Sequence, residues 1–323
     1  MAKRLLITLV VVGLLAAPAS AVEMFEKVGT IGFQFLEIGA GPRGTAMGEA
    51  MVAASEGIES LYWNPAGLRT VTTRTALFTY GTWPADITHQ FAGFAMRPGF
   101  IPGIIGVSVT ALQMDSMPIV TADNPDGVGV DFQPADLAVG LTYTRILTDR
   151  FSAGGTVRWF HSGLGDLSAL GVEGLEDYYV DGFVGDFGTL YDTGFRSLKI
   201  GLCIQNMGAD ATFIEEPVPV PTTFKFGVSM DVIDTPNQKV IVAAEFRHPS
   251  DTSEKVNVGA EYTLNRRYFL RAGYKMGYDE ETFSAGGGAR LSIAGVGRVG
   301  VDYSYTDFGL LGGVHRVGAT FEF

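Results

Sequence analysis

From about residue 72 onward, apolar and polar side chains alternate with a period of two. A β-strand sends successive side chains to opposite faces, so each such segment has one apolar and one polar face. Phe224, Phe226, Val228 and Met230 alternate with Lys225, Gly227, Ser229 and Asp231. Val317, Ala319, Phe321 and Phe323 alternate with Arg316, Gly318, Thr320 and Glu322. Fourteen segments carry the pattern, at about 72–81, 88–97, 103–114, 134–147, 150–160, 177–190, 197–206, 222–232, 239–248, 254–263, 267–276, 281–293, 297–306 and 315–323. Each segment with its connection takes about 18 residues, whereas turn signals in soluble all-β folds come every 8–12 or so. Strands of roughly 9–11 residues tilted near 45° cross a bilayer. The pattern predicts an all-β chain, a 14-stranded antiparallel transmembrane β-barrel over residues 71–323.

The connections give an independent reading. Long ones at 115–133, 161–176, 207–221 and 307–314 alternate with short ones at Thr148-Asp149, Asp234 to Gln238, Asn265-Arg266 and Ala294 to Val296. Outer-membrane barrels have this asymmetry, with short periplasmic turns and longer external loops. The polar faces carry Arg158, Lys199, Lys225, Arg247, Arg271, Lys275, Arg290 and Arg316, and Asp136, Asp231, Glu245, Glu261, Asp302 and Glu322. A charge facing lipid costs about 2–4 kcal/mol at the midplane, so these side chains are expected in the lumen. Their mixed signs predict ion pairs and not a single-sign filter.

The first residues read as an export signal, with outer-membrane lipid as the destination. Lys3 and Arg4 precede the apolar run Leu5 to Ala17, and Ala19-Ser20-Ala21 is a small-x-small cleavage site. Residues 1–21 are the expected signal peptide, with cleavage after Ala21. No later window holds 18 apolar residues, so no membrane helix is expected. Acids outnumber bases 35 to 23, which argues against a nucleic-acid partner. One cysteine, Cys203, and four scattered histidines offer no disulfide and no metal motif.

Residues 22–70 do not alternate and are small and Gly-rich. They read as a plug or hatch folded inside the barrel, with a short helix over 45–54. Gly39-Ala40-Gly41-Pro42-Arg43-Gly44 matches G-x-G-x-x-G, with Glu59 about 20 residues on. That motif binds dinucleotides only inside a βαβ unit, and none follows, so no cofactor is expected. Arg43 is the plug residue expected to pair with a lumen acid, because a buried guanidinium needs one.

The stretch Phe35-Leu36-Glu37-Ile38-Gly39-Ala40-Gly41-Pro42-Arg43-Gly44-Thr45-Ala46-Met47-Gly48, followed by Leu61-Tyr62-Trp63-Asn64-Pro65-Ala66-Gly67-Leu68, resembles the N-terminal signature of the PorV/PorQ family. That family belongs to the FadL-like superfamily of outer-membrane barrels. Ile200-Gly201-Leu202, Asn206-Met207-Gly208, Val220-Pro221 and His315-Arg316-Val317-Gly318 are similar to it as well. The resemblance implies a 14-stranded FadL-like barrel whose hatch carries an Asn-Pro-Ala element, here Asn64, Pro65 and Ala66. Two roles stand open for that element: gating, or a simple turn from plug into barrel, since Asn caps through its side chain and Pro fixes φ. The terminal aromatics Phe321 and Phe323 resemble the C-terminal signal read by barrel assembly machinery. The resemblance points first to a type IX-like secretion role, with a translocon and exported cargo as partners. The alternative is a conduit for hydrophobic small molecules.

Enzymatic chemistry is not expected. His161 lies beside Ser162 and Asp166 without a triad arrangement, and Asp123 to Gly127 lacks the spacing of a calcium loop. Tyr178 and Tyr179 read as part of an interfacial aromatic girdle.

Overall fold

The computed structural model describes residues 29–165, 178–213, 216–295 and 297–323. The expected signal peptide and Asp166 lie outside the described residues, as does 173–177 of the loop leading to Tyr178. Fourteen long strands form one closed sheet. They are β1 (Thr75–Thr82), β2 (Thr88–Met96), β3 (Ile104–Gln113), β4 (Ala135–Thr148), β5 (Phe151–Gly163), β6 (Tyr179–Asp192) and β7 (Lys199–Gly208). The second half comprises β8 (Thr223–Asp234), β9 (Gln238–Pro249), β10 (Lys255–Leu264), β11 (Tyr268–Met276), β12 (Phe283–Ile293), β13 (Gly297–Asp307) and β14 (Gly313–Glu322). Each strand pairs antiparallel with its sequence neighbours, and β1 closes on β14 from Thr75↔Glu322 to Thr82↔His315. Beyond that register, Phe323 N–H donates to Arg74 O (2.9 Å) and Arg74 N–H to Phe323 O (3.1 Å), so the last residue clamps the seam.

The fold is the one the alternation predicts, and every strand end lies within three residues of its expected place. The first strand starts at Thr75 and not at 72, because the 3₁₀ turn Pro65–Thr70 runs on until Val71 N–H bonds back to Leu68 O. Outward-facing side chains are carbon: Leu141 is 62% and Leu270 66% exposed. Lumen-facing charges are buried, Arg271 at 4% and Glu245 at 2%. Both termini of the barrel lie at the end with short turns. Two small hairpins, Met117–Pro118 with Asp131–Phe132 and Ala211–Phe213 with Glu216–Val218, stand in the long connections at the other end. The ladder is regular except at three register shifts, of which Gly185/Phe187, between β6 and β7, lies furthest inside the wall.

Residues 29–74 fill the lumen. They enter at the long-loop end, where Gly32 N–H donates to Pro219 O, and leave at the short-turn end into β1. The expected helix over 45–54 does not form. One turn of α-helix covers Pro42–Ala46 instead, with Pro42 at its first position. Gly48 (φ 61°) and Glu49 (φ 63°) then break it in left-handed conformations. Beyond them the Met51 and Val52 N–H groups are taken by the carboxylate of Glu245 on the wall (2.8 and 2.7 Å). Tertiary hydrogen bonds outrank the helix propensity of Ala and Met here.

Candidate functional site: the hatch and its seat

The hatch rests on a belt of lumen-facing glycines. A β-carbon on Gly273 would strike the Gly48 backbone. One on Gly259 would meet Met47, one on Gly201 or Gly227 would meet Val52, and one on Gly286 would meet Ala46. On the opposite wall Gly93 and Gly106 receive Leu61, and Gly154 and Gly188 receive the Asn64–Ala66 element. Glycine lets two backbones approach within contact. The composition shows the glycines, but their common role appears only when the strands are closed. Around the belt lies an apolar hatch core that includes Met47, Met51, Leu61, Trp63 and Leu68.

Charge pairs anchor the hatch on the β8–β13 side. Arg43 donates from Nε to Glu261 Oε2 (2.9 Å) and from Nη2 to Oε1 (3.2 Å), a bidentate fork. Its Nη1 lies 3.5 Å from Glu59. Burial works against the Arg43 charge, but Glu261 and Glu59 outweigh it and hold its pKa above the ordinary value. Glu59 goes the other way: burial raises its pKa, and Arg43, engaged by Glu261, offsets that only in part. Glu49 accepts from Arg247 (2.9 Å) and Lys275 (2.8 Å). Burial alone would raise its pKa; the two cations override it and bring it down to about 2. Glu56 pairs with Lys199 at the short-turn end.

Asn64 is fully buried. Its side-chain oxygen accepts from Ala66 N–H (3.1 Å), which caps the following turn. Its amide donates to Val52 O (2.7 Å) and to Thr189 O on β6 (3.2 Å), tying two hatch segments to the wall. The carbonyls of Pro65 and Ala66 accept from Thr144 and Ser152. Phe321 and Phe323 sit outward at the seam. His161 and Ser162 project to opposite faces: His161 pairs with Asp181 (3.0 Å), while Ser162 bonds Asp136 inside. Sequence reasoning named Arg43, Asn64, Pro65 and Ala66 but not Glu49, Glu245 or Glu261 as hatch anchors.

The hatch separates two cavities. One of about 700 Å³ opens at the short-turn end and is lined by Arg43, Glu59, Phe269 and Arg290 among others. The other, about 340 Å³, lies toward the long loops, between residues 34–39 and the wall. On the β3–β8 side the long-loop half of the lumen contains an apolar cluster with Phe33, Phe35, Leu36, Leu112, Phe160, Val180, Val184 and Val220.

Fold and seat together define the class: a fourteen-stranded transmembrane barrel closed by its own N-terminal hatch. Among solved structures the chain is similar to the toluene transporter TbuX of Ralstonia pickettii (TM-score 0.58, 18% identity, covering 88% of this chain and 98% of that one). It is similar to CymD, a monoaromatic hydrocarbon channel (0.58, 16%, 88% and 98%). A FadL homologue from Pseudomonas aeruginosa is a third such neighbour (0.57, 14%, 88% and 99%). At these identities the likeness is one of fold, and the fold is that of FadL-type outer-membrane barrels. The sequence matches no protein-family model and no curated protein.

Proposed function

We propose that this chain is an outer-membrane channel that takes up small hydrophobic molecules, with residues 29–70 as its gate. The observation that carries the reading is the apolar cluster at the long-loop end, where carbon from residues 33–36 packs against the wall above a charged and hatch-filled floor. The cluster runs to Val184, beside the register shift of β6 against β7. There Arg158 bonds Asp186 (2.8 Å) and Asn206 (2.9 Å), closing the wall with polar groups. A hydrophobic solute held in the cluster meets ion pairs below it and this interrupted ladder beside it. The side route crosses one buried pair, Arg158 with Asp186, whereas the floor holds several, and buried paired charges resist separation, so the side exit is the cheaper one. That the structural neighbours are named as toluene and monoaromatic hydrocarbon transporters supports the same reading.

Asn64, Pro65 and Ala66 act in this reading as the hinge pin on which the hatch turns, and Phe323 as the assembly signal. The secretion-linked role has no structural observation behind it. The test is uptake of labelled toluene by cells that carry the barrel in their outer membrane, against cells that lack it. Faster uptake is expected. Equal uptake, with exported proteins co-purifying on the barrel instead, would replace this reading by the secretion one.

A further inference from the structure

We infer that the cavity of about 340 Å³ at the long-loop end binds the carboxylate of a compact organic acid, centred on Arg316 and Trp83. The inference deepens the uptake reading and rests on it only for the route by which the acid arrives.

Arg316, on β14, is 3% exposed and lines this cavity. Among the described residues it has no carboxylate within ion-pair distance. Its one hydrogen bond runs from Nη1 to Thr306 Oγ1 (3.3 Å), and its Nε has no acceptor. Its neighbours in the lumen are balanced. Arg247 holds Glu49, Lys275 holds Glu49 and Glu281, and Arg271 holds Glu261 and Asp302. A buried guanidinium left alone is costly enough to need an explanation. The position is a built one. Gly81, paired with Arg316 across the seam, has no side chain, so Arg316 lies across β1. Its guanidinium carbon stands 5.2 Å from the centre of the Trp83 ring.

The same cavity is lined by Trp83, whose buried indole Nε1 also lacks an acceptor. It also holds Lys255, whose ammonium sits over the Tyr278 ring at 4.6 Å and has no carboxylate within ion-pair distance among the described residues. Three carboxylates face the cavity: Glu49 and Glu281 are held by cations as above, and Glu37 accepts from Thr223. Phe35, Ile38 and Leu112 supply the remaining apolar wall. A neutral hydrocarbon would fill the carbon and leave Arg316 unpaired. A carboxylate accepts from guanidinium and indole together, and charge-assisted bonds of this kind are the strong ones. The volume is at the small end of the range for ligand pockets, roughly 300–1,000 Å³, which favours a single-ring acid over a long chain.

The experiment is titration calorimetry on the purified full chain in detergent, with phenylacetate as probe and benzyl alcohol, phosphate and laurate as comparisons. Phenylacetate is expected to bind more tightly than benzyl alcohol or phosphate. Arg316→Gln should weaken phenylacetate roughly 10- to 100-fold, the worth of a lost charged hydrogen bond, and leave benzyl alcohol unchanged. Trp83→Phe should weaken it less, and Arg316→Lys should fall between wild type and Arg316→Gln. Heat-modifiable migration reports that each variant is folded; should Arg316→Gln not fold, the lysine and Trp83 variants carry the test. Equal binding of phenylacetate and benzyl alcohol, or no loss in the Arg316 variants, overturns the site. Phosphate competing as well as phenylacetate would make it a bare anion site, and laurate binding more tightly through Arg316 would make it a lipid-acid site. Either result overturns the assignment to compact acids. Loss of toluene uptake with phenylacetate binding intact would remove the uptake reading and leave this site standing.

Discussion

Arg43 and Glu261 are unequal partners. Glu261 serves two guanidinium groups, Arg43 at 2.9 Å and Arg271 at 2.6 Å, while Arg271 also holds Asp302. Removing Arg43 therefore leaves Glu261 paired with Arg271, and removing Glu261 leaves Arg43 with only two contacts of 3.5 Å, to Glu59 and to Ala54 O. Breaking a buried pair so that one charge is orphaned costs about 3–5 kcal/mol. Glu261→Gln is expected to cost this much and Arg43→Met clearly less, read as the urea midpoint for loss of the heat-modifiable band. Equal costs would mean that the two residues act only as a pair. Glu49 gives a pH dependence. Its folded value, about 2, lies below the ordinary 4.5, so its contribution is complete above 4.5 and is lost as pH falls toward 2. Glu59 is shifted upward, so its protonation relieves the fold; acid release of the hatch is assigned to Glu49 together with Glu56, which against its burial Lys199 holds below its ordinary value. Protease protection of the hatch should hold at about pH 5 and fail near about pH 2, and Glu49→Gln should lose it already at neutral pH. Protection in that variant equal to wild type would remove Glu49 as an anchor.

Among the elements, the glycine belt decides where the hatch can sit. Gly273→Val puts carbon where the Gly48 backbone lies, so the hatch must move while the outward face of β11 is untouched. The variant is expected to keep the folded band and lose hatch protection. Gly185→Ala, whose new carbon meets nothing closer than 3.6 Å, should change neither. A Gly273→Val barrel with full protection would show that the belt does not position the hatch. The strands were legible because two solvents dictate them: lipid demands carbon on one face, and the lumen accepts charge on the other. The hatch was not legible in the same way. Its turns are fixed by partners far along the chain, as when Glu245 takes the Met51 and Val52 N–H groups from 194 and 193 residues away. Local propensity therefore misplaced the helix. That Arg43 needs an acid followed from its charge. That the acid is Glu261 required the register of β10 against the hatch, which no residue pattern encodes.

At the scale of the whole molecule, charge is sorted along the barrel axis. Every charged residue in the long connections 83–87, 114–134, 164–178, 209–222, 250–254, 277–282 and 308–312 is Asp or Glu. The short turns instead carry Arg97, Arg150, Arg196, Arg266 and Arg267 against the single acid Asp149. Between these ends the wall charges are mixed and mostly paired. In the proposed reading the hatch is the element that keeps a polar, fourteen-strand lumen from conducting. Over residues 29–60 it brings four acids, Glu37, Glu49, Glu56 and Glu59, and one base, Arg43, into the lumen. Deleting residues 24–60 removes that charge and the apolar hatch core together, and leaves the closed ladder from β1 to β14 unchanged. In planar bilayers the deletion is expected to convert a nearly silent barrel into a steadily conducting one. Ion selectivity should be weak, because lumen cations and anions alternate without a ring of one sign. Raising the salt should reduce what selectivity there is, since the acidic loops act through a field screened over about 10 Å at 0.1 M. If the deleted barrel folds and stays silent, residues 24–60 are not the seal, and the gating role of Asn64, Pro65 and Ala66 falls with it.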